Sequence, residues 1–260
     1  KNFYYKTLGF PHVGTRIRGR TVFRVFPNLQ HLNILDIGCG SGAFSYELAR
    51  RGHHVVSLDS LTGITKNDVH HLKTIFKKGG HDFRFVRGNA TKLPFPDSSF
   101  DAVVIADVIE HIIDEDTVMG EIHRVLKPNG FLIASTPLAG FHRGKFKGFF
   151  RFLHQYTFLK YLPIWDTVQL YPASHMKSEG HVREYTLEHW KKLCIKHGFA
   201  LEAHDYEYKF FGAFFVELYH TFTFVDRYGN YFFPFFYPFT LLDYLLPMKG
   251  TGIAVRAKKL

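Results

Sequence analysis

The sequence contains few cysteines and no cysteine motif. Only two cysteines, Cys39 and Cys194, occur in 260 residues, and no Cys-x-x-Cys pair is present. Two such thiols cannot make a disulfide framework or a cysteine-based metal site, and they fit a reducing compartment. The 17 histidines are scattered, and the adjacent pairs at 53–54 and 70–71 lack the i,i+4 spacing that puts two ligands on one helix face. We therefore expect no bound metal and a cytoplasmic location.

The sequence also lacks a long apolar run. No uninterrupted apolar stretch reaches the roughly 20 residues that an ordinary transmembrane helix needs. The nearest candidate, residues 231–247, is interrupted by three prolines and by Asp243, so it suits a position on a membrane rather than across it. No apolar run with a cleavage site follows residue 1, and we expect no signal peptide.

Aromatic and basic residues are in excess. Aromatic residues make up 17% of the chain, with 29 phenylalanines, and the formal net charge is +10. A basic surface favours anionic partners such as acidic lipid headgroups, nucleic acid or a phosphorylated substrate. The phenylalanine excess indicates an apolar contact surface larger than one core requires.

From residue 33 to residue 136, short apolar runs alternate with helical stretches, a pattern typical of a parallel sheet. The sequence predicts strands at 33–37, 54–58, 83–87, 101–106 and 130–135, with helices at 43–51, 62–78 and 114–126. Lys127 is predicted in the last turn of the third helix, which Pro128 and Asn129-Gly130 would end. A helix at 186–197, with Thr186 as its N-cap, and strands at 199–208 and 252–258 follow.

The predicted fold is a doubly wound α/β domain with a seven-stranded Rossmann-like sheet and an antiparallel last strand. Residues 1–28 are predicted to form a basic, aromatic arm that includes a helix, and residues 29–260 the domain itself. Two aromatic-rich insertions, 137–184 and 209–251, begin at the carboxyl edge of the sheet, where open α/β folds bind ligands. We expect them to form a lid with an apolar pocket, although they can also pack only on each other.

A glycine-rich turn follows the first strand, with Asp36 ahead of Gly38, Gly40 and Gly42. Glycines allow backbone conformations that a Cβ forbids, and the next helix presents free N–H groups. A pyrophosphate-binding turn would read Gly-x-Gly-x-x-Gly. The shorter Gly-x-Gly-x-Gly spacing and the preceding acid suit the ammonium group of a methionine moiety instead. Asp59, at the end of the second strand, can accept both hydroxyls of a ribose.

Together with the stretches 87–101, 107–112 and 124–130, these features resemble the class I S-adenosylmethionine-dependent methyltransferases. The nearest group includes ubiquinone and menaquinone pathway enzymes and small-molecule O-methyltransferases. The resemblance covers residues 33–136 closely and 181–208 loosely. It implies S-adenosylmethionine as the cofactor and S-adenosylhomocysteine as its product.

The resemblance also implies the roles of the cofactor residues. Asp36 and the three glycines would line the methionine and ribose, and Asp59 would bind the ribose hydroxyls. The remaining implied contacts are Leu61 near the adenine, Asn89 and Ala90 against the adenine, and Ala106 with Asp107 on the methionine side. Asn89 stands where the family often has Asp, and its amide keeps an acceptor oxygen.

His111 is the candidate catalytic base, because it follows the fourth strand at the carboxyl edge and an O–H acceptor must lose its proton. Alternatively, His111 caps the next helix or packs beside the cofactor, and the adjacent Glu110 orients it or caps that helix.

Five further residues are candidates for substrate contact. His181, Arg183 and Tyr185 precede a helix and return to the same edge, with Arg183 suited to a carboxylate or phosphate; the alternative is a structural hinge. His12 and Arg16, in the N-terminal arm, are weaker candidates.

The sequence thus predicts methyl transfer to an oxygen of a hydrophobic or amphipathic small molecule, such as a prenylated, acyl-lipid or lipid-linked compound. That substrate would be reached from an anionic membrane surface on the inner face of the membrane. The alternatives are a soluble small molecule or sugar as substrate, and a non-catalytic cofactor-binding scaffold. A nucleic-acid substrate is disfavoured, since residues 107–110 lack the Pro-Pro-aromatic stretch of base-amine methyltransferases. The sequence does not indicate an oligomeric state.

Overall fold

The computed structural model describes residues 13–61, 66–139, 182–207, 209–214, 238–246 and 248–260. The strands are β1 (Asn33–Ile37), β2 (His54–Asp59), β3 (Arg84–Arg87), β4 (Phe100–Ala106), β5 (Leu126–Pro137), β6 (Phe199–Glu207) and β7 (Gly252–Lys259). The helices are α1 (Val13–Val25), α2 (Ala43–Arg50), α3 (Lys66–Lys78), α4 (Glu115–Val125) and α5 (Leu187–Lys196), with 3₁₀ turns at Ile109–His111 and Leu242–Leu245. Most of the two predicted insertions lies outside the described residues, so the lid stays a prediction.

The seven strands form one sheet in the order β3-β2-β1-β4-β5-β7-β6. Strands β1 to β5 pair in parallel, whereas β7 lies antiparallel between β5 and β6. The predicted doubly wound sheet with its antiparallel last strand is confirmed. Because β6 runs parallel to β5, the ends of β1, β2, β4, β5 and β6 all meet at the carboxyl edge.

Two apolar cores lie on opposite faces of the sheet. Alternate residues of one strand supply each of them, so that Leu35 faces the first core and its neighbour Ile34 the second. Burial on both faces explains why the central strands are almost wholly apolar. Helices α4 and α5 cover the first face, and α1, α2 and α3 cover the second.

Helix α1 belongs to this covering layer. Its Val22 and Val25 are buried in the second core. Arg256 of β7 donates to the carbonyl oxygen of Val25 at 3.1 Å, and Arg20 donates to the hydroxyl of Thr240 at 3.3 Å. Helix α1 is therefore tied to β7 through the Val25 carbonyl and to the second insertion through Arg20.

The expectation that Lys127 lies in the last turn of α4 is wrong. The helix ends at Val125, and Leu126 already has extended backbone with φ −74° and ψ 137°. Pro128 disfavours helical backbone at the residue before it, so Lys127 lies within β5. Its ammonium group donates to Asp101 at 2.7 Å instead.

Candidate cofactor and substrate site

The glycine turn between β1 and α2 is fixed by backbone hydrogen bonds to β2. The N–H groups of Gly38 and Cys39 donate to the carbonyl oxygen of Leu58 at 2.8 and 3.1 Å. Gly38 and Gly40 have φ of 70° and 47°, in the left-handed region that favours glycine. The turn therefore leaves the end of β1 in a conformation that ordinary residues would strain.

The first and second glycines of the turn have different surroundings. A Cβ on Gly38 would lie 2.3 Å from Val108 Cγ2, so this position packs against the end of β4. A Cβ on Gly40 would meet nothing nearer than 3.9 Å. Gly40 thus presents bare backbone to open space, which is the cradle that a closely approaching ligand needs.

Asp59 connects the glycine turn to the turn after β2. Its Oδ2 accepts from the N–H of Gly40 at 3.1 Å and its Oδ1 from the N–H of Leu61 at 2.9 Å. Leu61 adopts the left-handed conformation, with φ 65°. The carboxylate is thereby held at the rim of the cradle, where the resemblance places the ribose hydroxyls.

Asp36 is buried behind the turn. Its Oδ2 accepts from the hydroxyl of Ser45 at 2.5 Å, and Ser45 in turn accepts from Ser57 at 2.7 Å. Burial raises the pKa of Asp36 to about 7, with a further contribution from the Asp59 carboxylate and an opposing one from Ser45. A cation bound at the turn would favour the ionised form. The carboxylates of Asp36 and Asp59 fit a cofactor that carries an ammonium and a sulfonium group.

Asn89 and Ala90 follow β3 beside Asp59. The N–H of Gly88 donates to the Asp59 carbonyl oxygen at 3.0 Å, which holds this loop against the cradle. Asn89 is exposed, and its Oδ1 accepts from the N–H of Thr91 at 3.0 Å. Ala90 is buried. The side-chain oxygen of Asn89 thus closes its own turn, and the implied adenine contact stays a prediction.

Ala106 and Asp107 end β4 next to Gly38. Asp107 has φ 53°, and its N–H donates to the Ser135 carbonyl oxygen at 2.9 Å. Its Oδ1 accepts from the Ser135 hydroxyl at 3.0 Å, and its Oδ2 forms an ion pair with Arg18. The backbone strain at Asp107 is therefore stabilised by β5 and by α1.

His111 is exposed in the 3₁₀ turn, and its N–H donates to the Val108 carbonyl oxygen. Neither His111 nor Glu110 caps α4: that role belongs to Asp114, which accepts from the N–H of Thr117 at 2.9 Å. The catalytic role of His111 stays a prediction. Its neighbour Glu110 is the buried side chain of the pair.

Arg183 and Tyr185 converge on Glu115 at the start of α4. The Tyr185 hydroxyl donates to Glu115 Oε2 at 2.7 Å, and the Arg183 guanidinium lies 3.2 Å from the same oxygen. Arg183 also donates to the carbonyl oxygen of Ile113 at 3.0 Å. These contacts favour the hinge interpretation, and a role in substrate contact stays a prediction. His12 and His181 lie outside the described residues, whereas Arg16 is half-buried on α1.

Replacing Tyr185 by Phe is expected to lower the free energy of unfolding by about 1–3 kcal/mol, because Glu115 loses its shortest hydrogen bond. Urea denaturation would measure this change in the free energy of unfolding. Tyr206→Phe is the matched control, because the Tyr206 hydroxyl makes no hydrogen bond with the described residues; its effect should stay within about 0.5 kcal/mol. Equal losses in both variants would contradict the assigned role of the hydroxyl.

Arg18 and Glu207 form part of the site that sequence reasoning missed, and they carry no signal in the sequence. Glu110 was considered only as a partner of His111 or as a helix cap. The three residues meet because α1, the turn after β4 and the end of β6 converge at the carboxyl edge. Within the described residues, no cluster of His, Cys, Asp or Glu has the arrangement of a metal site.

Comparison with known proteins agrees with this geometry. Residues 35–134 match the methyltransferase domain family. A demethylmenaquinone methyltransferase from Beutenbergia cavernae is 33% identical over 155 residues, which cover 58% of this chain and 58% of that protein. A sterol 24-C-methyltransferase from Gibberella zeae is 37% identical over 102 residues, or 38% of this chain and 26% of that protein.

The fold has solved counterparts. An S-adenosylmethionine dependent methyltransferase from Mesorhizobium loti shares it with a TM-score of 0.56 and 17% identity, over 95% of this chain and 100% of that chain. Residues 35–134 thus match a methyltransferase domain, and the chain has a fold shared with an S-adenosylmethionine-dependent methyltransferase. Its cofactor is S-adenosylmethionine, as the sequence predicts. The chain spans between 40% and 58% of the length of the first demethylmenaquinone methyltransferases that it matches.

Proposed function

We propose that this protein transfers a methyl group from S-adenosylmethionine to an oxygen of a hydrophobic or amphipathic small molecule at the inner surface of a membrane. The observation that supports cofactor use most directly is the open space above the backbone of Gly40, next to the Asp59 carboxylate that accepts from the N–H of Gly40. When bound, the cofactor supplies a methyl group on a positively charged sulfur.

The residues of the site orient the cofactor and exclude water. Asp59 would hold the ribose through its two oxygens, and the ionised form of Asp36 would face the ammonium end. Val108, packed on Gly38, closes the turn on the side of β4. Methyl transfer is an in-line displacement, so holding the two partners at near-contact distance is the main catalytic task.

The acceptor side has an exposed apolar surface. It consists of large hydrophobic side chains that follow β6 or precede β7, namely Phe210, Phe239, Leu241, Leu242 and Leu245. We call this surface the apolar patch. Asp243 joins its two segments, accepting from the N–H groups of Phe211 and Gly212 at 2.7 Å each. The patch therefore lies near the carboxyl edge at which the glycine turn opens.

The names of the relatives support an apolar acceptor. Demethylmenaquinone and a sterol are both hydrophobic molecules, and the sterol enzyme is named for transfer to a carbon. An assay must therefore separate an O-methyl from a C-methyl product. The positive charge of the chain and the apolar patch suit an anionic lipid surface. No helix among the described residues is long and apolar enough to cross a membrane.

Turnover tests the proposed activity. The protein would be incubated with cofactor carrying a carbon-13 methyl group and with separated lipid and aqueous extracts. We expect label in the lipid fraction, with the chemical shift of an O-methyl group. Label only in the aqueous fraction would support a soluble substrate, and binding of S-adenosylhomocysteine without any transfer would indicate a scaffold.

The apolar patch makes membrane binding testable separately. The double variant Leu242→Ser/Leu245→Ser is expected to lose most binding to anionic vesicles in a flotation assay, because it removes two exposed apolar anchors. Ile195→Ser is the matched control, since Ile195 on α5 is 77% exposed and Leu245 is 78% exposed. Failure of the unmodified protein to float at low salt, or equal binding by all three, would overturn this part of the proposal.

A further inference from the structure

Three carboxylates surround one guanidinium beside the glycine turn. Arg18 of α1 forms an ion pair with Asp107, and its Nε lies 3.7 Å from Oε2 of Glu207. Glu110, in the 3₁₀ turn that follows β4, faces Asp107, Arg18 and Glu207. We call Asp107, Glu110 and Glu207 the carboxylate cluster. Asp205, which also faces Glu207, is paired with Arg24 at 3.3 Å.

The two glutamates of the cluster are buried and short of donors. Glu110 is 1% exposed and Glu207 is 2% exposed. Neither carboxyl oxygen of Glu110, nor Oε1 of Glu207, receives a hydrogen bond in the described part of the chain. An ionised carboxylate without donors is costly to bury, and one guanidinium balances only one of three charges. Protonation of one of these buried carboxylates therefore stabilises the free protein.

The pKa values of the two glutamates are shifted in the direction that this excess of negative charge predicts. Burial and the Asp107 carboxylate raise the pKa of Glu110 to about 8. Burial and the same neighbour also raise the pKa of Glu207 well above its usual range, although Arg18 opposes the shift. Below about pH 8 Glu110 holds a proton, and as the pH rises through that value the proton of Glu110 is lost.

The cluster adjoins the cofactor cradle directly. Val108 stands between Asp107 and Glu110 in the chain, and it is the residue against which Gly38 packs. A positive charge bound at the turn would thus lie on the other side of Val108 from the cluster. Such a charge stabilises nearby carboxylates and lowers their affinity for a proton.

We propose that the carboxylate cluster holds a proton in the free protein, releases it when the positively charged cofactor binds, and accepts the proton of the methyl acceptor during transfer. In that step, the acceptor's O–H bond breaks and its oxygen forms the new bond to the methyl carbon. The sulfur–methyl bond breaks with its electron pair kept by sulfur, and the released proton goes to the cluster. The loss of positive charge on sulfur restores the cluster's affinity for that proton.

This inference rests on the proposed function, since it needs the cofactor at the glycine turn. Titration calorimetry without any acceptor tests it, in two buffers of different ionisation enthalpy near pH 7. Binding of S-adenosylmethionine is expected to release about one proton more per protein than binding of S-adenosylhomocysteine, whose sulfur is neutral. Both ligands carry the ammonium group that acts on Asp36, so the contribution of Asp36 cancels from this difference. Absence of binding by both ligands would overturn the proposed function, whereas equal release by both would overturn only this inference.

Variants locate the proton. Glu110→Gln has the shape of the protonated residue and should fold, bind both ligands and lose the difference in proton release. Glu202→Gln removes an exposed carboxylate of β6 that pairs with Arg256 at 3.2 Å, and it should keep the difference. A full difference in Glu110→Gln would show that the proton is not on Glu110, and the same result for Glu207→Gln would place it outside the cluster and overturn the proposal.

A measurement on the unmodified protein complements the variants. Because binding releases a proton, the affinity for S-adenosylmethionine relative to S-adenosylhomocysteine should rise up to about tenfold per pH unit from about pH 6 to 8. A ratio that is flat over this range would contradict the proposal, whatever the stability of the Glu110→Gln protein.

Discussion

Replacing Asp59 by Ala is expected to lower the affinity for S-adenosylhomocysteine by about 100-fold or more. The carboxylate is the proposed acceptor for both ribose hydroxyls, and hydrogen bonds to a charged group contribute about 1.5–3 kcal/mol each. Two of them amount to at least two factors of ten, at about 1.4 kcal/mol for each factor. The variant also frees the N–H groups of Gly40 and Leu61, so the cradle itself loses its fixed rim.

Calorimetric titration would measure this loss. Asp59→Asn should fall between the two proteins, since its amide keeps one acceptor oxygen. Asp97→Ala is the control for removal of an acid, because Asp97 is exposed and pairs with Arg124 away from the cradle. Wild-type affinity in the Asp59→Ala protein would show that the ribose is held elsewhere and that the assignment of Asp59 is wrong.

Replacing Trp190 by Ala is expected to lower the free energy of unfolding by about 3–5 kcal/mol. Trp190 is fully buried on α5. Its ring stacks on Tyr185 with centroids 5.2 Å apart, and its Nε1 donates to the Thr136 hydroxyl at 3.1 Å. The substitution leaves a cavity at the end of β5 and an unpaired hydroxyl, and both effects destabilise the folded state.

Urea denaturation of Trp190→Ala and Trp190→Phe separates the two contributions. Phe retains most of the ring volume and loses only the hydrogen bond, so its cost should be about 1–2 kcal/mol. Ile195→Ala, an exposed position on the same helix, should change little. A loss below about 1 kcal/mol in Trp190→Ala would mean that the end of β5 is not held by this ring.

The fold was predictable because its signals are local. Strands β1, β4 and β5 are short apolar runs bounded by turn residues, and the parallel arrangement follows from their alternation with helices. The glycine turn was predictable for the same reason, because positive φ and close approach demand glycine wherever they occur. Lys127 shows the limit of such signals: Pro128, three residues after the end of the helix, changed which element the lysine joined.

The surroundings of the proposed acceptor were less predictable. Sequence reasoning chose His111 as the base because it follows β4, whereas the structure leaves His111 exposed and buries Glu110. Likewise, Arg183 and Tyr185 have the chemistry of substrate contacts, yet both bind Glu115. Residue type and strand position indicate what a side chain can do, and its neighbours determine which of those roles is open to it.

By itself, the sequence determined the sheet, the cofactor turn and the carboxylate of Asp59, since each depends on residues within a few positions of one another. Only the tertiary structure decided that Arg18, Asp107, Glu110 and Glu207 meet beside that turn. These residues come from α1, the segment after β4 and the end of β6, and their charges interact only because the chain folds them together. The cost of burying two glutamates beside a third carboxylate, with one guanidinium between them, is a property of that volume, and no local pattern encodes it.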